Sequence, residues 1–397
     1  MSLLSRMTAP TARHDAARLV ASLLTEDRTA PRSLRPPTGP TGLGTSAARV
    51  VAKNAHLPVP ARNAHASPQD AHTPAREPSA PGVVPELYCP PALRDDPALG
   101  REVNDRLVAW AGEAGIYAGR LDRVRAADFG RLMMLAHPDT DDPDRLLAAG
   151  KCALAEWATD DYYCDDGAGP EMLGSHLGPA YASLDPAHLP VRHAAAWERE
   201  MREDPVRVAL RSGMEHLSRY AEPSQLARLH HEVAVLFVGY GQEGSWRSRG
   251  YLPTVPEYLA HRQINSFLPC IALADVVGGY ALPADEYADP RVRRAVTMAA
   301  TAATLVNDLY SMTKEHDAEG VEFNLPTVIA ERERCSVREG IERSAEIHDE
   351  LVHTYEAEAA ALALTGSPQL RRFLTGVWAW LGGNRAWHSG SPRYNTA

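Results

Sequence analysis

Cysteine is scarce in this chain of 397 residues, with five at Cys89, Cys152, Cys164, Cys270 and Cys335. They are scattered and odd in number and show no zinc-ligand spacing, a usage that reads as reduced thiols in a cytoplasmic protein. Aromatic residues make up only 7%. No apolar run approaches the roughly 20 residues that cross a bilayer, so no membrane span is expected. Lys and Arg never gather into a block, and the formal net charge is -10. That balance argues against a nucleic-acid partner, whose phosphates need a basic surface. Strand series, hairpin series and fixed-period repeats are missing as well.

Proline is abundant but unevenly placed: 14 of the 31 fall within the first 91 residues. Segments such as "RPPTGPTGLGTSAARV" and "SPQDAHTPAREPSAPG" lack apolar periodicity and cannot repay the entropy of ordering. Residues 1–85 are therefore read as a disordered Pro/Ala-rich arm, and residues 86–397 as one folded domain. The first 25 residues are somewhat Arg/Ser-rich and acid-poor, as transit peptides are. The whole chain shares that composition, so the signal is set aside.

After Leu93 the pattern is helical. In "REVNDRLVAWAGEAGIY", Val103, Leu107, Val108, Ala111 and Ala114 recur near helical spacing. Similar stretches follow in "DRLLAAGKCALAEWATDDYY", "PSQLARLHHEVAVLFVGY", "PRVRRAVTMAATAATLVNDLYSMTKE" and "GIERSAEIHDELVHTYEAEAAALAL". Turn signals such as "HPDTDDPD", "LDPAHLP" and "LPADEYADP" separate them. Several helices are apolar around much of their girth, which predicts an all-α packed bundle.

The segment "ATDDYYCDDG" crowds Asp160, Asp161, Asp165 and Asp166 together at the end of a helix that begins near Asp144. On an α-helix, Asp161 and Asp165 point nearly the same way, Asp160 lies about 100° from Asp161, and Asp166 points elsewhere. Carboxylates at a helix C-terminus oppose the macrodipole. A bound divalent cation would offset that cost, and oxygen-only ligands favour Mg²⁺. A solvated acidic helix end would read the same way. In "VNDLYSMTKE", Asn307, Ser311 and Glu315 lie on one stripe and form a second oxygen chelate, with Lys314 placed to reach an anion held by the metal. A helix emerging from the core into solvent is the plainer account of that stripe. Arg262, in "EYLAHRQINSFLPC", lies among apolar neighbours and calls for a carboxylate or a phosphate; a structural salt bridge would also serve. Arg393 and Tyr394, near the chain end, form a pair able to close over a phosphate.

These elements in this order resemble the bacterial class I terpene cyclases. They are an aspartate-rich motif, a later N-D-x-x-S-x-x-K-E motif, an arginine about 45 residues before it and a C-terminal Arg-Tyr. The resemblance covers residues 90–397. Within the family, "CPPALRDDPALG", "HRQINSFLPC", "GVWAWLGGNRAWH" and the acidic segment are similar to the actinomycete cyclases that form 2-methylisoborneol. The resemblance implies a single α-helical fold around a deep apolar pocket with three Mg²⁺ at its mouth. It implies metal binding by Asp160, Asp161, Asp165, Asn307, Ser311 and Glu315. It assigns diphosphate recognition to Arg262, Lys314, Arg393 and Tyr394, and a linker and effector role after the arginine to Asn265 and Ser266. The partner implied is an isoprenoid diphosphate substrate, 2-methylgeranyl diphosphate first, and a homodimer is allowed. One departure stands out. The commoner motif places its third acid four residues after the first, where this chain has Cys164, and the acid comes at Asp165.

The chemistry expected is ionisation of the diphosphate, ring closure in a dry pocket, and capture of the last cation by water. Trp157, Phe267, Tyr163 and Trp246 are candidate aromatic faces for the cation. Alternatives are an alkene product such as 2-methylenebornane, a geranyl or farnesyl diphosphate cyclase, a chain-elongating prenyltransferase, and a non-enzymatic helical scaffold.

Overall fold

An Asp-Pro pair opens four of the helices. Asp96, Asp142, Asp204 and Asp289 each accept, through the side chain, a backbone N–H of the first turn. The proline that follows has no N–H to leave unsatisfied. Two of the expected turn signals, "HPDTDDPD" and "LPADEYADP", are thus also helix starts. The structure is a computed structural model and describes residues 84–165, 170–315 and 323–390. The side chains of residues 165, 170, 171 and 313–315 are outside that description, as are the N-terminal arm and the last seven residues.

The described chain is built of helices, with no strand among the described residues. The first group is α1 (Pro97–Ala114), α2 (Leu121–Ala127), α3 (Phe129–Ala136), α4 (Pro143–Asp160) and α5 (Pro170–Leu184). Next come α6 (Val191–Arg202), α7 (Pro205–Leu217), the long α8 (Pro223–Arg249) and α9 (Val255–Arg262). Three short pieces follow, α10 (Leu268–Ile271), α11 (Ala274–Gly278) and α12 (Ala284–Ala288). The last four are α13 (Pro290–Glu315), α14 (Leu325–Glu333), α15 (Val337–Thr365) and α16 (Pro368–Gly390). A single π-helical turn, Asp161–Asp165, closes α4.

The five apolar positions expected on α1 are all buried. The centre of the bundle is α13, whose Ala295, Val296, Ala299, Ala300, Ala302, Ala303, Leu305 and Val306 are almost fully excluded from solvent. A helix apolar all round needs neighbours all round, and α14, α15 and α16 pack against it. On the other side α4 packs against α1, α3 and α7. Crossings are close where the sequence allows it. A Cβ on Gly383 of α16 would lie 2.6 Å from the Leu135 carbonyl carbon and the Ala136 nitrogen of α3, so only glycine fits there. The chain entering α1 is strapped across the bundle: Tyr88 N–H donates to Asp349 at 2.8 Å, and the Tyr88 hydroxyl donates to Glu356 at 2.8 Å. Arg94 donates to the carbonyls of Met134 and His137 at 2.7 and 2.9 Å.

Candidate active site

The end of α4, the middle of α8, the break between α9 and α10, and the second half of α13 enclose a cavity of about 380 Å³. That is an ordinary size for a small-molecule site. Asp160, Asp161, Arg262, Asn265, Ser266, Asn307 and Ser311 all line it, so residues up to about 150 positions apart meet at one cavity. Phe129, Leu132, Ala153, Trp157, Leu236 and Phe267 give it an apolar lining. The side chains of Asp165, Lys314 and Glu315, and all of Arg393 and Tyr394, lie outside the described residues. The α9–α10 break reaches the cavity because α8 carries Gly239 beneath it. A Cβ there would meet the Asn265 Cβ at 3.0 Å.

The α-helical register expected for the acidic cluster ends at Asp160. An α-helix would carry position 165 about 140° away from position 160. The π turn over Asp161–Asp165 bonds i to i+5 and swings position 165 back toward the side of Asp160. The carboxylate of Asp161, although it lines the cavity, is held by the structure. The Tyr117 hydroxyl donates to it at 2.8 Å, and Arg123 pairs with it at 3.4 Å.

On α13, Asn307 is oriented by α16. His388 Nδ1 faces the Asn384 carbonyl at 2.9 Å and must donate, which leaves Nε2 to accept from the Asn307 amide nitrogen at 3.3 Å. Of the Asn307 amide, only the oxygen has the lone pairs that a hard cation needs. Ser311 donates to the Asp308 carbonyl at 3.4 Å. Among the described residues no three His, Cys, Asp or Glu side chains gather as a metal cluster. The oxygen set at the mouth is mixed: a carboxylate, an amide and a hydroxyl.

Arg262 pairs with Asp308, which is fully buried. Burial opposes the guanidinium's charge, but Asp308 outweighs it and raises the pKa well above the ordinary value. The Tyr258 hydroxyl donates to Asp308 at 2.9 Å and the Leu325 N–H at 3.1 Å. Beside this pair, Glu243 accepts from the Asn265 amide at 2.9 Å and pairs with Arg247 at 2.7 Å and His261 at 3.4 Å. Burial pushes the Glu243 carboxyl up, but His261, Arg247 and Arg262 more than reverse this and hold it at about 2. Glu156 has the opposite fate. It lines the same cavity one turn before Asp160, and burial pushes its carboxyl up to about 8.

Sequence reading missed Asp308, Glu243, Glu156 and His388. Asp308 had a signal, since Arg262 called for a carboxylate and Asp308 sits inside the quoted motif on an otherwise apolar helix. Of the aromatic candidates, Trp157 and Phe267 line the cavity, and Phe129 stands edge-on to Trp157 at 4.6 Å and 87°. The other two are placed elsewhere. The Tyr163 hydroxyl donates to Asp204 at 2.7 Å, and Trp246 is buried in a separate cluster with Tyr258 and Leu305. Lying near a motif in sequence does not fix which face of the helix a ring takes.

Residues 151–354 match the family described as terpene synthase family 2, C-terminal metal binding. The all-helical bundle, the cavity and this match define the class as that of class I terpene synthases. The 2-methylisoborneol synthase of Streptomyces lasalocidi is 44% identical over 358 residues, 89% of this chain and 73% of that one. That of Saccharopolyspora erythraea is 37% identical over 345 residues, 85% of this chain and 97% of that one. The crystal structure of 2-methylisoborneol synthase from Streptomyces coelicolor A3(2), in complex with Mg²⁺ and 2-fluoroneryl diphosphate, aligns with a TM-score of 0.76. It is 41% identical, and the alignment covers 80% of this chain and 98% of that one. The chain belongs to the 2-methylisoborneol synthase family of terpene cyclases.

Proposed function

We propose that this chain is a Mg²⁺-dependent cyclase that ionises 2-methylgeranyl diphosphate and closes it to 2-methylisoborneol, releasing diphosphate. The observation that carries the reading is a single cavity with hard oxygen donors and a guanidinium at its mouth and an apolar, aromatic floor. Asp160 with Asp165 would hold Mg²⁺ on one side, and Asn307, Ser311 and Glu315 on the other. This donor chemistry is all oxygen and fits Mg²⁺. When bound, the metal supplies Lewis acidity toward the leaving diphosphate. Arg262 binds a diphosphate oxygen by exchanging it for Asp308, and Lys314, Arg393 and Tyr394 add donors. Asn265 and Ser266, on the break after Arg262, link that exchange to the cavity wall. Asp161 serves here by fixing the π turn through Tyr117 and Arg123. Trp157, Phe129 and Phe267 line the cavity, and a ring face turned to the carbocation stabilises it without offering a nucleophile.

The catalytic domain in this reading is 86–397, with 1–85 an appended arm. The free thiols of all five cysteines suit a cytoplasmic enzyme, and no described helix is long and apolar enough to cross a membrane. A homodimer is allowed, and no nucleic-acid partner is invoked.

Incubation with 2-methylgeranyl, geranyl and farnesyl diphosphate, each with and without Mg²⁺, tests the proposal by gas chromatography and mass spectrometry. The expected result is 2-methylisoborneol from the first substrate, in the presence of Mg²⁺ only. A hydrocarbon as the sole C11 product, or preferred turnover of farnesyl diphosphate, would overturn it.

A further inference from the structure

Glu156 is an anomaly in a cavity built for a carbocation. It sits one helical turn, about 6 Å, below Asp160 on α4, next to Trp157 and across from the α10 helix. It is 7% exposed and lines the cavity. Among the described residues its carboxyl has one side-chain partner, the Cys270 thiol, whose Sγ lies 3.8 Å from Oε2. A thiol is a weak donor. Burial pushes the Cys270 thiol well above its ordinary range, so it stays a neutral thiol beside the glutamate. The Tyr240 hydroxyl is spent on the Glu156 backbone carbonyl at 3.3 Å. A buried carboxyl with so little protein hydrogen bonding is a place for a water.

We propose that Glu156, with Cys270 behind it, seats the one water that captures the final cation, and so decides between an alcohol and an alkene. The inference rests on the alcohol-forming reading above. In the neutral carboxyl the carbonyl oxygen accepts a hydrogen from the water, which turns an oxygen lone pair toward the cavity, while the carboxyl's own O–H at Oε2 lies toward the Cys270 sulfur. That lone pair forms the C–O bond to the cationic carbon. One O–H bond of the resulting oxonium then breaks, and its proton passes to the diphosphate released in the ionisation step, the base that the reaction itself supplies. Without the seated water, the cation loses a proton from carbon to the same base and becomes an alkene. Neutrality matters here. Burial pushes the Glu156 carboxyl up toward its neutral form. A carboxylate at this place would itself bond to the cation as an ester.

The test compares wild type, Glu156→Met and Glu156→Gln with 2-methylgeranyl diphosphate and Mg²⁺, measuring both the alcohol share of the C11 products and the rate of diphosphate release. Methionine fills the space without a hydrogen bond. Its alcohol share should fall about tenfold, the factor carried by one lost hydrogen bond, while diphosphate release stays within about threefold. Glutamine is neutral and still holds water through its amide oxygen, so its alcohol share should stay within about twofold of wild type. An unchanged alcohol share in Glu156→Met overturns the seat. Should that variant not fold, a collapse of the alcohol share in Glu156→Gln, with release intact, overturns it as well. Wild type that makes no alcohol from 2-methylgeranyl diphosphate refutes the proposed function instead, which separates the two failures.

Discussion

Replacing Asp308 by asparagine attacks the best-held charge in the site. Asp308 is fully buried; its Oδ1 faces the Arg262 guanidinium, and its Oδ2 accepts from Tyr258 and the Leu325 N–H. An asparagine oxygen in the Oδ2 position keeps the last two contacts. Its NH₂ group then meets the guanidinium, donor against donor. Breaking one partner of a buried pair typically costs about 3–5 kcal/mol, because the surviving charge has nowhere to go. An unfolding entropy of about 2 cal/mol/K per residue makes each kcal/mol worth about 1.5 °C in a domain of roughly 310 residues, so a fall of about 5–8 °C is expected. Turnover should fall too, since Arg262 loses the anchor that positions it beside Asn265. Differential scanning calorimetry and diphosphate release measure the two effects. Adding Arg262→Met to Asp308→Asn should cost less than the sum of the single changes, since the stranded charge is gone. A Tm within 1 °C of wild type for Asp308→Asn, or strict additivity in the double variant, would refute the reasoning.

Asp160→Asn and Asn307→Ala should each remove measurable turnover and leave the helical circular dichroism unchanged. Activity in either would remove it from the proposed metal site. Glu243, held at about 2 against an ordinary 4.5, lends stability that is present in full above pH 4.5 and fades as pH falls toward 2. Glu243→Gln should flatten acid unfolding across that window, by up to about 3 kcal/mol at neutral pH; an unaltered pH profile would show that the carboxylate is not so held. Deleting residues 1–80 should leave turnover within a few fold, because the described packing of the bundle begins at Val84 and the Tyr88 strap. A truncated chain that is inactive while still folded would assign the arm a part in the site.

The fold was legible because its information is periodic. Burial of Val103, Leu107, Val108, Ala111 and Ala114 along α1 follows from spacing alone, as does the buried run of α13. The mouth of the cavity was legible too, because its polar groups interrupt apolar helices at fixed intervals. The polar groups held by long-range partners were not. Glu243, Glu156 and His388 are each defined by residues 4 to more than 100 positions away, and one chain pattern does not announce such pairings. The π turn left one trace, the spacing of Asp160 and Asp165. An acid at i+4 suits α winding, and an acid at i+5 suits a turn wound one residue wider. The departure from the commoner motif and the local winding are therefore two views of one feature.

Among the described side chains, two glutamates line this cavity, and their environments push them in opposite directions. Glu243 has Arg247, His261 and Asn265 around it and is held ionised at about 2. Glu156 has a thiol and apolar walls and rises to about 8. Such a divergence between like groups in one site marks a division of labour. Here it follows the charges that the reaction separates. The anion stays at the mouth, where ionised carboxylates hold guanidinium groups in readiness for phosphate oxygens. The cation stays at the floor, where any fixed anion would capture it and end the ring closures early. A polarity that changes from charged to neutral within one cavity is what permits both halves of an ion pair to exist in it. The helix that makes the change is α4, from Asp160 at the rim to Glu156 one turn below.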